Sequence, residues 1–241
     1  SITALSHYRK FIEANSDNYI LAEKSDDIKR AKTTGKLAVA FDMEGMCCLN
    51  NDLSMVKFYY DLGVRQMNFA YNLNNSAGGG CHDTDIGLTK FGKDVVAEMN
   101  RVGMVIDCSH NSYQTTMEAM EISKDPIIFS HSNPRRIRDH ERNITDEQIK
   151  SCAKKGGVIG INGVYWFLDK EKHDIEMFVQ HLDYVVQMVG SEHVGIGLDF
   201  VFENDSLLIT HNTNNEFWPS RQYEGRKMGY LPPESFPRIY E

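Results

Sequence analysis

Two apolar runs near the middle of this 241-residue chain each end on a histidine: MVIDCSH at 104–110 and IIFSHS at 127–132. His110 and His131 are 21 positions apart, one strand–helix–strand step. That spacing sets them at the ends of adjacent strands, where two imidazoles can share a divalent metal. Glu44 closes the run LAVAFDME, and Asp199 stands near the end of HVGIGLDF. A carboxylate at Glu44 can bridge metals, and one at Asp199 can bind metal weakly and take a proton from water as a general base. Each residue alone has a plainer reading: a satisfied core histidine, a solvent contact or a helix cap. Metal-capable side chains at four strand ends favour a barrel hydrolase, whose site collects residues from several strand ends on one face.

The elements that must position them alternate regularly. Strand candidates are 37–43, 64–71, 104–109, 126–131, 157–163 and 193–199, continuous in polarity as strands covered on both faces should be. Helical patterns fall between them at 52–62, 89–102, 112–123, 145–155 and 174–189. Thr89 and Thr145 are suited to cap two of these, and Gly63, Gly103, Gly156 and Gly190 each follow a helix where a left-handed residue is expected. Repeated βα units imply a parallel sheet. No GxGxxG follows the first strand and no phosphate-binding loop appears, so a closed barrel is favoured over an open sheet. A polar, glycine-rich stretch at 72–87 is longer than a barrel connection requires and reads as an active-site loop. The aperiodic stretch 203–241 reads as a segment covering the barrel mouth.

The chain is long enough for one substantial core, and its 41% hydrophobic and 25% charged residues are ordinary for a globular domain. A net charge of −8 argues against nucleic acid or an anionic membrane as partner. No apolar run spans a bilayer, and the start does not read as a signal peptide. The five cysteines form no CxxC pair, which points to reduced thiols and a cytoplasmic protein.

As an ordered set, DMEG (42–45), FYYDLGVR (58–65), GLTKFGKDVVAEMNRVGMVIDCSHNS (87–112), PIIFSHSNPRR (126–136), ERNITDEQI (141–149) and HVGIGLDF (193–200) resemble the membrane (renal) dipeptidases, peptidase family M19 of the amidohydrolase superfamily. The resemblance covers about residues 37–200. It implies a TIM-type (β/α)8 metal-dependent hydrolase barrel and a zinc-dependent dipeptidase acting on dipeptides with a free carboxylate, L,D-dipeptides among them. It places a bridging glutamate at Glu44 and histidine ligands at His110 and His131, with the assisting aspartate at Asp199. It also places a carboxylate-binding arginine at Arg142, and Asn162 is a second substrate-binding candidate. The implied partner is a small dipeptide, and a homodimer is the assembly considered.

The chain departs from that family in two places. The family's barrel opens with a strand carrying His-x-Asp, which completes a second zinc site; the front of this chain has only His7, in a helical pattern. With six strands counted, the expectation is a single barrel domain over 1–241 that lacks its first two strands, with two zinc ions only in the complete protein. Tyr71 stands where the family commonly places a histidine, and a phenol can still donate a hydrogen bond to a developing oxyanion. Cys81 and His82 belong to the loop, where a structural role is favoured over contact with substrate or metal. The readings that compete are a binding scaffold with an incomplete metal site and a metal-dependent hydrolase of another amide.

Overall fold

The computed structural model describes residues 2–171, 174–201, 216–223 and 229–240. Its elements run α1 (Ile2–Ala14), β1 (Tyr19–Leu21), α2 (Ser25–Thr34), β2 (Leu37–Val39), β3 (Phe41–Glu44), α3 (Ser54–Asp61), β4 (Val64–Asn68), α4 (Lys90–Val102) and β5 (Val105–Asp107). They continue as α5 (Tyr113–Ile122), β6 (Ile127–Ile128), α6 (Asp146–Lys154), β7 (Ile159–Ile161), α7 (Tyr165–Leu168), α8 (Ile175–Val189), β8 (Val194–Ile196) and α9 (Ser220–Tyr223).

Every strand pair is parallel. β2 and β3 are separated only by Ala40, so 37–44 is one strand whose first half pairs with β1 and whose second half pairs with β4. A bridge between Phe129 and Ile159 joins β6 to β7. The result is one curved parallel wall with helices on its outer face, each packed on its neighbours: α3 on α4, α4 on α5, α5 on α6 and α6 on α8. This is the α/β barrel architecture that the alternating elements imply. Among the described residues no strand joins β3 to β8, and between these edges lies a cavity of about 690 Å3 reaching Asp42, Glu44, Gln66, His131 and Asp199.

The main core lies between the strands and the helices, where Met67, Phe69, Met99, Ile106, Phe129 and Phe178 are fully buried. At about 1.5–3 kcal/mol for each such side chain, this layer dominates the stability. The helix ends follow local chemistry. Thr89 accepts from the backbone N–H of Gly92, Thr145 forms a reciprocal box with Gln148, and Gly63, Gly103, Gly156 and Gly190 all take positive φ.

Two features differ from the sequence reading. β1 is an additional strand, too short at three residues for its pattern to stand out. Regular pairing also stops earlier than the apolar runs do, at Asp107 and Ile128, because the Asp107 carboxylate captures the backbone N–H groups of Ser109 and Ser130, each at 2.9 Å. His110 and His131 therefore sit on loops just past their strands. The last three strands close tightly behind them. A Cβ at Gly160 or Gly197 would lie 2.0 or 1.9 Å from the carbonyl oxygen of Ser130, so both positions exclude any larger residue.

His181 on α8 is fully buried, with Nε2 bonded to the carbonyl of Leu168 at 2.8 Å and no partner for Nδ1 among the described residues. Burial pushes its pKa down to about 4, against an ordinary value of 6.5. The unfolded chain then takes up a proton between pH 6.5 and 4 that the folded chain refuses, so stability is lost as pH falls through that window. Replacing His181 with Gln, which can still donate to Leu168, is expected to remove up to about 3 kcal/mol of this acid destabilisation. Urea denaturation of both proteins at pH 7 and pH 4.5 measures the difference.

Candidate metal centre

The β-sheet register aligns Glu44, Asn68 and Asp107 across three adjacent strands at their C-terminal ends. Asn68 ties two of these ends together: its Oδ1 accepts from the backbone N–H of Gly45, and its Nδ2 donates to the carbonyl of Ser109 at 3.0 Å. The loops leaving these strands bring Glu44, His110 and His131 to one point. Nε2 of His110 and Nε2 of His131 are 2.8 Å apart, and Oε1 of Glu44 lies 3.4 and 3.3 Å from them.

The other ring nitrogens fix the tautomers. Asn72 uses its Nδ2 to donate to the carbonyl of Phe217, so its Oδ1 must accept from Nδ1–H of His110, at 2.7 Å. Ser130 donates its hydroxyl to Asp107 at 2.5 Å and accepts from Nδ1–H of His131 at 2.7 Å. Both Nε2 atoms thus carry lone pairs, aimed at each other and at a carboxylate. Three lone-pair donors in contact repel unless a cation lies among them, and two imidazoles with one carboxylate are a donor set suited to zinc. The residues fit a metal.

Charge and burial agree with this fit. Burial, and then the positive charge of Arg142, push the pKa of His110 well below its ordinary value, which leaves the ring neutral and able to ligate. The Glu44 side chain is 38% exposed, but it opens onto the cavity and is otherwise enclosed by the cluster. Enclosure raises its pKa to about 7, opposed by His131. His110 and Asp199 both take left-handed backbone, φ +68° and +56°, a conformation that costs energy in non-glycine residues and collects at functional sites.

The remaining candidates surround the cluster. Tyr71 stacks on His110 with ring centroids 4.3 Å apart, and burial raises its pKa, so the phenol stays protonated. Arg142 is buried, donates from Nη2 to the carbonyl of His131 at 3.3 Å, brings the same Nη2 to 3.2 Å from Nε2 of His110, and rests against the Phe167 ring. Among the described residues its Nε has no hydrogen-bond partner and no carboxylate pairs with it. Asn162 donates to Oδ2 of Asp199 at 3.2 Å, which makes it a neighbour of that carboxylate. Cys81 and His82 stay out of the cluster. Cys81 contacts Asn72, and His82 bridges Glu141 and the Tyr223 hydroxyl, both at 2.7 Å, so the 72–87 loop here buttresses the site. Of the expected covering segment 203–241, residues 203–215, 224–228 and 241 lie outside the described residues; Trp218, Tyr223 and Tyr230 line a second, smaller cavity beside Tyr71.

Sequence reading passed over Asp107, Ser130 and Asn72, which orient the ligands. The one available signal was that all three are polar residues at or next to strand ends already flagged.

Residues 2–206 match the family described as membrane dipeptidase (peptidase family M19). An uncharacterized dipeptidase of Schizosaccharomyces pombe is 34% identical over 196 residues, covering 77% of this chain and 47% of that protein. The chain spans about half the length of the curated relatives it matches. Among solved structures, an amidohydrolase from Pseudomonas aeruginosa is similar with a TM-score of 0.88 and 30% identity, over 97% of this chain and 72% of that one. A metallo peptidase from Rhodobacter sphaeroides, liganded with a phosphinate mimic of the dipeptide L-Ala-D-Ala, has a TM-score of 0.76 at 24% identity, over 81% and 59%, and shares the fold.

Zinc added at a hundred times its dissociation constant is expected to stabilise the folded chain by about 2.7 kcal/mol, read as a rise in melting temperature. Replacing Ser130 with Ala should weaken zinc binding by about 10- to 100-fold, because His131 loses the group that orients it. Affinity should fall as pH drops below about 7, where Glu44 takes up a proton. Calorimetric titration at pH 6 and pH 8 checks both.

Proposed function

This chain belongs to the membrane dipeptidase family, peptidase family M19, and on that premise we propose that it carries the catalytic centre of a zinc-dependent dipeptidase acting on dipeptides with a free C-terminal carboxylate. The observation that carries the reading is the convergence of three ligand atoms, two of them on buried histidines, beside an arginine that lacks a carboxylate partner among the described residues. Glu44, His110 and His131 would hold the metal. When bound, a divalent cation supplies Lewis acidity, polarising a carbonyl oxygen and making water acidic enough to lose a proton near neutral pH.

The chain's own residues do the rest. Arg142 receives the substrate carboxylate, since a guanidinium fork bonds both oxygens and a buried cation without a counter-charge is costly. Its Nη2 lies 3.2 Å from Nε2 of His110. The carboxylate it grips therefore falls about one residue, or 3–4 Å, from a carbonyl at the cluster, which suits a dipeptide. Asp199, steadied by Asn162, accepts the proton from water at a carboxylate oxygen and returns it to the leaving amine. Tyr71, protonated and stacked on His110, donates its hydroxyl to the developing oxyanion. L,D-dipeptides fall within the substrate range proposed, in keeping with the ligand of the Rhodobacter sphaeroides metallo peptidase.

In the complete protein, Glu44→Gln and His110→Ala are expected to abolish turnover of small dipeptides. Arg142→Lys should raise KM about 10- to 100-fold for free-carboxylate dipeptides and leave KM for their amides nearly unchanged, since a charged hydrogen bond contributes about 1.5–3 kcal/mol. Equal cleavage of amides and free acids would instead indicate a hydrolase of another amide. Metal content of one ion or none, without turnover, would indicate a binding scaffold.

A further inference from the structure

Apart from the main core, the chain holds a second, smaller apolar cluster: Val164, Trp166, Phe167 and Tyr223 are buried, with Trp218 and Tyr230 packed against them. These six side chains wall a cavity of about 170 Å3 that also reaches Glu44, Tyr71, His110, Arg142 and Asp199. Trp166 meets Tyr223 edge to face at 4.9 Å, and Trp218 meets Tyr71 in the same way at 6.1 Å. Trp218, Tyr223 and Tyr230 all lie beyond residue 206, where the family match ends, so half of this wall comes from the chain's own C-terminal segment.

We propose that this aromatic wall is the subsite for the side chain of the substrate's carboxy-terminal residue, and that it selects dipeptides in which that residue is apolar or aromatic. The inference rests on the dipeptidase reading and narrows it to a substrate class. A carboxylate held by Arg142 and the side chain of the same residue share one α-carbon. The Arg142 guanidinium lies 5.2 Å from the Phe167 ring centroid, so that side chain starts beside Phe167, in a cavity that Trp166 and Trp218 also line. Apolar surface entering there leaves water for an aromatic lining. An acidic side chain would find Glu44 and Asp199 already present. Arg142 is the only Lys or Arg among the described residues that line this cavity, and the main carboxylate has already engaged it. An unpaired charge in such a place carries a heavy desolvation cost. The small volume suits one side chain and excludes a longer peptide.

The chain's two tryptophans both line this cavity, so intrinsic emission reports on it directly. The test takes the metal-loaded complete protein and measures kcat/KM and tryptophan emission with Ala-Gly, Ala-Leu, Ala-Phe and Ala-Asp, each chiral C-terminal residue in both L and D forms. The expected order places Leu and Phe substrates about tenfold or more above Gly and Asp lowest, the scale on which apolar pockets discriminate. Trp218→Ala should lower the Leu-to-Gly ratio of kcat/KM about tenfold, and Trp218→Phe should restore most of it. A ratio unchanged in Trp218→Ala, or Ala-Asp cleaved as well as Ala-Leu, would overturn the assignment. If no dipeptide is cleaved while emission responds in the same order, the dipeptidase reading fails and the subsite stands. Cleavage with no dependence on the side chain does the reverse.

Discussion

The buried carboxylate of Asp107 is the interaction on which the site depends. It takes the backbone N–H groups of Ser109 and Ser130 and the hydroxyl of Ser130, and so couples the ends of β5 and β6. Without it those N–H groups would be orphaned inside the protein at the point where strand pairing stops, at a cost of about 1–3 kcal/mol each. Because it is present, both chains can leave the sheet together and carry His110 and His131 to a common point. The same carboxylate, through Ser130, turns His131 so that its lone pair faces inward. A single charged group thus ends two strands and orients a ligand.

The other histidine is held from the opposite side. Asn72, in left-handed backbone, receives the Nδ1 proton of His110, while Tyr71 stacks flat on its ring. Loop 72–87 is in turn anchored by His82 between Glu141 and Tyr223, which links the loop over the site to the C-terminal segment that lines it. Rigid support of this kind lets three lone-pair donors and a guanidinium crowd together. Each would relax outward in water, and each is useful only if it does not.

Much of this was legible in the sequence, for identifiable reasons. The periodic apolar runs and the residues that cap or end the helices are local signals, so the βα order and the positions of α3 to α6 and of α8 followed from them. The flagged residues Glu44, Tyr71, His110, His131, Arg142, Asn162 and Asp199 do gather around one cavity or bond directly to its lining, because parallel strands deliver their C-terminal ends to one face. β1 escaped notice because three residues carry no periodicity. Asp107 and Ser130 escaped because a polar residue inside an apolar run looks like an interruption until its partner across the next strand is known.

By itself, then, the sequence determined which chemistries were available, in what order the elements come, and that four strand ends carry metal-capable groups. Tertiary structure alone decided that the Nε2 atoms of His110 and His131 approach to 2.8 Å with Glu44 beside them, and that Arg142 is buried with no carboxylate paired to it among the described residues. It also decided that Trp218 and Tyr230, from a stretch with no pattern at all, form a wall with Trp166. The physical reason is common to all three. Local sequence sets backbone propensity over a few residues, whereas these contacts join residues tens of positions apart, and they exist only once strand register and sheet curvature bring the loops together.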